Sequence, residues 1–175
     1  MDIKDCENLL CHYEQVVLTL YECHKDRASI YKRISSFLSI LNIIFGTITG
    51  TSSISIYNNN RPGYQLLNIV LVYMITILSA FQKIADPSKK YERFRNASEH
   101  YLSLFYEIKY NTTFEMKTEE ELKNYVKQLN LKLEDMRGKM PFINDKTYDN
   151  YKQKTLQKTL QKSKSFNISI PMEAI

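Results

Sequence analysis

Charge is missing from two long stretches of this 175-residue chain. None lies from Ile34 to Asn60 and none from Pro62 to Gln82, with Arg61 alone between them. The mean hydropathy of -0.38 is that of an ordinarily polar protein, but the 24 basic and 19 acidic residues are segregated from the apolar ones instead of mixed with them. Segregation on this scale excludes an ordinary soluble domain and points to a membrane. The lack of Asp, Glu, Lys, Arg and His inside either stretch removes the usual marks of a proton relay or a voltage sensor.

Glycine and proline are scarce, four of each, and neither occurs ahead of Gly46, so nothing local breaks a helix there. Cysteine is limited to Cys6, Cys11 and Cys23. An odd number without framework spacing excludes a disulfide scaffold and suits free thiols in a reducing compartment. No apolar signal core lies near Met1, so the first apolar stretch is expected to stay uncleaved. Catalytic signatures are missing too: no phosphate loop, no G-x-S-x-G, no metal motif and no carboxylate pair in an identifiable cleft. The chain reads as a non-enzyme without a cofactor.

What is present is an all-α membrane protein built on a two-helix transmembrane hairpin. A hydrocarbon core of about 30 Å needs about 20 helical residues, and 34–56 and 64–84 supply transmembrane helices 1 and 2. The intervening 57–63, within YNNNRPGY, has the Asn, Pro and Gly of a tight outer loop, with Tyr57 and Tyr64 as candidate headgroup anchors. Lys25, Arg27, Lys32 and Arg33 precede the first span, and Lys83, Lys89, Lys90, Arg93 and Arg95 follow the second. The positive-inside rule then places both termini in the cytoplasm. Lys32, Arg33, Lys83, Lys89 and Lys90 are the expected contacts to lipid headgroups.

The flanks carry helical periodicity. In residues 1–33, Cys6, Leu9, Tyr13, Val16, Leu20 and Cys23 step by three and four, the stripe of an amphipathic helix that continues toward the first span. Asp86-Pro87-Ser88 supplies a turn and a helix start, after which Phe94, Ala97, Tyr101, Leu104 and Ile108 repeat the pattern. Thr118 with Glu121 is a capping box ahead of Leu122, Val126, Leu129, Leu133 and Met136, and Gly138 and Pro141 end that helix. These cytoplasmic helices, in 1–33 and 85–148, suit either a small bundle or coiled-coil contacts between subunits. Residues 149–175, with the repeat QKTLQKTLQKSK, read as a basic flexible tail. Were it helical, Lys154, Lys158 and Lys162 would form an edge toward anionic lipid.

Both spans have a polar side. Ser35, Ser39, Asn42, Gly46, Thr49 and Ser53 step along one face of the first, and Asn68, Thr76, Ser79 and Gln82 share an arc of the second. Gly46 and Gly50 form G-x-x-x-G, which lets another helix approach closely. Such side chains line a pore, replacing part of an ion's hydration shell, or pack helices, and the sequence leaves both open. A hairpin of two helices cannot enclose water, so conduction demands several copies and the expected partners are the bilayer and further copies of the chain.

Cys11-His12 and Cys23-His24 hold zinc-type donors, but adjacent residues on a helix face apart and make a poor structural site. His100 reads as a packing or hydrogen-bonding histidine. The sequons at Asn96, Asn111 and Asn167 need a lumenal location that the topology denies them. A pI near 9.0 is explained by the membrane flanks, and no aromatic-laced basic patch points to nucleic acid.

The arrangement resembles the SLATT family, the two-span effector domains associated with SMODS nucleotide cyclases and SLOG sensors. The likeness covers most of the chain. It rests on a first helix ending in RASIYKRI, two spans with a short loop, then DPSKKYERFRNASEHYLSLFYEIKY, and a helix followed by MPFINDKTYDNYK. It implies an oligomeric pore-forming effector in triggered defence or cell-death signalling. The alternative from the residues is a non-conducting, membrane-anchored scaffold.

Overall fold

A computed structural model describes residues 3–59, 62–115 and 118–166. These are helical almost throughout, with no strand among them: α1 (Ile3–Asn59), α2 (Pro62–Ala85), α3 (Pro87–Tyr110), a π-helical turn (Asn111–Glu115), α4 (Glu119–Lys139) and α5 (Asp145–Phe166). The missing helix breakers explain α1, which runs 57 residues and takes in both the N-terminal segment and the first apolar stretch. Pro62 opens α2, where its lacking N–H costs nothing. Of the expected outer loop, Tyr57 to Asn59 belong to α1 and Pro62 and Gly63 to α2. Asn60, Arg61 and the side chains of Tyr57 and Tyr64 lie outside the described residues.

Asp86 separates α2 from α3. Its backbone is left-handed, φ 40°, the conformation that commonly terminates a helix. Its N–H donates to the Gln82 carbonyl at 3.0 Å, and its Oδ1 accepts from the Lys89 N–H at 3.2 Å. One residue thus ends one helix and starts the next, ahead of Pro87 at the first position of α3.

Two compact units form, 1–26 with 93–175, and 27–92. In the first, Cys6, Leu10 and Val17 of α1, Tyr101, Leu104 and Ile108 of α3, and Leu122, Val126, Leu129 and Leu133 of α4 make one buried cluster. The capping box forms: Thr118 Oγ1 accepts from the Glu121 N–H at 3.4 Å, and Glu121 Oε2 accepts from the Thr118 N–H at 3.1 Å. Glu14 pairs with Lys109 at 3.3 Å and Glu107 with Lys132 at 2.6 Å, on the rim of the cluster. Part of the segment expected to be a flexible tail is helical, because α5 continues to Phe166. Thr155 on α5 is buried and the Tyr151 hydroxyl donates to Asp26, contacts that composition cannot reveal.

The second unit, 27–92, contains the apolar stretches. It leaves Phe37, Ile43, Leu66, Tyr73 and Ile77 each at least 61% exposed. The most apolar window of α1 is 6% buried and that of α2 is 0% buried. A water-soluble helix pair would hide this surface, whereas a bilayer solvates it.

Candidate functional site

The polar side chains of the two apolar helices meet as a ladder. Asn42 Nδ2 donates to Gln82 Oε1 at 2.6 Å. Farther along α1, Ser52 Oγ donates to Asn68 Oδ1 at 3.1 Å, and Asn68 Nδ2 donates to Ser53 Oγ at 3.1 Å. At the opposite end Ser35 and Ser88 share a hydrogen bond of 2.8 Å. Between these rungs Leu38 and Leu71 are buried, and Phe45 and Thr49 are partly covered. Side-chain amides in hydrocarbon have no water to fall back on, so the rungs made by Asn42 with Gln82 and by Asn68 with Ser52 and Ser53 each stabilise the hairpin by roughly 0.6–2 kcal/mol. The exposed Ser35–Ser88 bond ends on α3, outside the second span.

Most remaining hydroxyls are satisfied within their own helix. Thr47 Oγ1 donates to the Ile43 carbonyl, Thr49 to Phe45, Ser53 to Thr49 and Thr76 to Val72, each at 2.8 Å. This back-bonding lets a Ser- and Thr-rich helix sit in an apolar medium. Among the described residues of this hairpin one atom is left over: Asn42 Oδ1 is buried without a hydrogen-bond partner.

The predicted stripe therefore divides. Asn42, Thr49, Asn68 and Gln82 lie partly covered along the α1–α2 contact, whereas Ser39, Gly46, Gly50, Ser53, Thr76 and Ser79 are exposed. A Cβ built on Gly46 or Gly50 meets nothing within 4 Å, so the hairpin contact does not need either glycine. Ser52, 7% exposed, holds Asn68, yet it lay outside the predicted stripe. Its signal was the three-four spacing Asn42, Phe45, Thr49, Ser52, which follows the contact line more closely than the run through Gly46 does.

The cationic flank residues Lys32, Arg33, Lys83, Lys89 and Lys90 are all exposed. Lys90 Nζ also stands 5.8 Å from the centroid of the Tyr31 ring, within reach of a cation–π attraction.

The cysteine–histidine pairs separate as helix geometry requires. Cys6 and Cys23 are buried and Cys11 exposed, none of the three in a disulfide among the described residues. His24 is the buried histidine and His100 is exposed, so the packing role expected of His100 falls to His24. The His24 Nδ1 lies 2.7 Å from the Leu20 carbonyl and Nε2 lies 3.2 Å from the Pro141 carbonyl, with the Tyr101 ring 5.1 Å away. Burial lowers its pKa, outweighing the two carbonyls that favour the proton.

The model of SMODS and SLOG-associating 2TM effector domain family 4 (SLATT_4) matches residues 7–167. No curated protein and no solved structure gives a significant match to the chain.

Proposed function

The chain belongs to SMODS and SLOG-associating 2TM effector domain family 4, and from that premise we propose that it is a defence or cell-death effector whose hairpins assemble into a membrane pore. Both termini face the cytoplasm in this reading, in keeping with the cations at 25–33 and 83–95. The protein acts without catalysis. The carrying observation is the free Gly46–Gly50 face beside a polar ladder that already holds α1 to α2. One surface of α1 is committed to its own hairpin, and another, lined by small residues, suits close approach of a second copy.

The test has two stages. The mass of the detergent-extracted particle, measured at several protein concentrations, should correspond to four or more subunits. Liposomes carrying the protein should then leak ions, and Gly46→Leu with Gly50→Leu should abolish the leak by preventing close contact. A monomer or dimer that never leaks overturns the pore.

A second reading, a non-conducting scaffold, is favoured by the hydroxyls of Thr47, Thr49 and Thr76, which are engaged by carbonyls of their own helices. In that case the glycine substitutions weaken self-association modestly and cell toxicity is absent from the start.

A further inference from the structure

A cavity of about 550 Å³ opens in the unit formed by 1–26 and 93–175, between α1, the end of α4 and the start of α5. Val16, Leu20, Met140 and Ile143 give it an apolar side. Its polar lining is dominated by donors. Arg137 and Lys152 border it, and neither is in an ion pair among the described residues, in contrast to the paired Arg95, Lys109, Lys123, Lys132 and Lys139. Asp145, a lining carboxylate, is within ion-pairing distance of neither among the described residues.

Tyr101 and Tyr148 complete the set. Tyr101 is only 1% exposed, and neither phenol finds a hydrogen-bond acceptor among the described residues. The Arg137 guanidinium lies near enough to both to oppose the upward push that burial gives each hydroxyl. Both phenols therefore remain protonated donors at neutral pH. Two phenol donors and two cationic side chains that line one cavity are complementary to an anion with several acceptor oxygens.

We propose that this cavity binds a small organic phosphate, its oxygens held by Arg137, Lys152 and the Tyr101 and Tyr148 hydroxyls and its organic part lying on Val16, Leu20 and Ile143. Arg137 and Lys152 bring two positive charges to a phosphate monoester dianion, against the one lining carboxylate of Asp145. The volume exceeds that of inorganic phosphate and falls within the roughly 300–1,000 Å³ of small-molecule sites. The assignment is independent of conduction, since it rests on a different unit and is read by binding alone.

The test is calorimetric titration of the full chain in neutral detergent with phenyl phosphate, inorganic phosphate and benzyl alcohol as probes. Phenyl phosphate should bind on the order of tenfold more tightly than either fragment. Arg137→Gln should cost on the order of tenfold in affinity, and Tyr101→Phe severalfold with an unchanged melting temperature. Lys32→Gln, in the other unit, serves as the charge control and should change nothing. Equal binding of phenyl phosphate and inorganic phosphate, or undiminished binding by Arg137→Gln, overturns the proposal. Repeating the titration in nanodiscs with and without phosphatidic acid identifies the source: competition that Arg137→Gln removes points to a lipid headgroup, and unaltered phenyl phosphate binding to a soluble phosphate.

Discussion

Replacing the amides of the Asn42–Gln82 rung with leucine tests whether the ladder holds the hairpin, and the structure makes the expected costs unequal. In Gln82→Leu, Asn42 loses the acceptor that stands 2.6 Å from its Nδ2. Because its Oδ1 is already unpartnered, the whole amide is then unsatisfied beside hydrocarbon. In Asn42→Leu the same hydrogen bond is lost, but the orphan oxygen goes with it, and only Gln82 must find a new partner. A hydrogen bond between membrane helices contributes roughly 0.6–2 kcal/mol, and stranding a buried polar group adds about 1 kcal/mol or more. Gln82→Leu should therefore cost about 2 kcal/mol and Asn42→Leu about 1 kcal/mol or less. The double substitution, which leaves no amide, should cost less than the sum of the two, with a coupling of about 1 kcal/mol. Steric trapping of the full chain in bicelles, with tags flanking the hairpin, gives these free energies directly. Equal costs for the two single substitutions, or additive behaviour in the double one, would refute the reasoning.

Three further outcomes follow from the unit formed by 1–26 and 93–175. Leu129, 1% exposed within the α1–α3–α4 cluster, should cost about 2–5 kcal/mol as Leu129→Ala, read from chemical denaturation followed by tyrosine near-ultraviolet dichroism. Thr118→Ala removes one half of the capping box and should lower stability by about 1 kcal/mol, with hydrogen exchange accelerating first in the opening turn of α4. His24 is held below its ordinary pKa of 6.5 by burial, so below that pH the unfolded chain takes up a proton that the folded one resists. Its contribution to stability is complete above about pH 7 and falls as the pH drops from 6.5 toward the lower folded pKa, by at most about 1.4 kcal/mol per pH unit. Denaturation midpoints between pH 7.5 and 5.5 should show that loss, and His24→Leu should flatten it.

Much of this was legible from residue order because its causes are local. A capping box needs only Thr118 and Glu121 three positions apart, and the buried set Leu122, Val126, Leu129 and Leu133 follows from the helical repeat. The uninterrupted α1 follows from the late appearance of Gly46, and the α3 start from Asp86-Pro87. The polar stripe was less legible. A helix repeats every 3.6 residues, so runs through Gly46 and through Ser52 both look like faces, and only the position of Asn68 and Gln82 on the second helix decides which one faces it. The helical stretch of α5 was obscured for a related reason: QKTLQKTL has the composition of a solvated tail, and Thr155 gains a helix only by being covered.

The sequence by itself determined the class of this protein, since two uncharged stretches of spanning length can be solvated by little except a bilayer, and this depends on composition along the chain rather than on any contact. Tertiary structure decided the pairings: Asn42 with Gln82, Ser52 with Asn68, a glycine face left uncovered, and Arg137, Tyr101 and Tyr148 gathered around one cavity. Those residues are far apart in the chain, and no local rule of propensity or spacing says which of them will meet. Directional hydrogen bonds and close packing between separate helices settle that, and both exist only once the helices have come together.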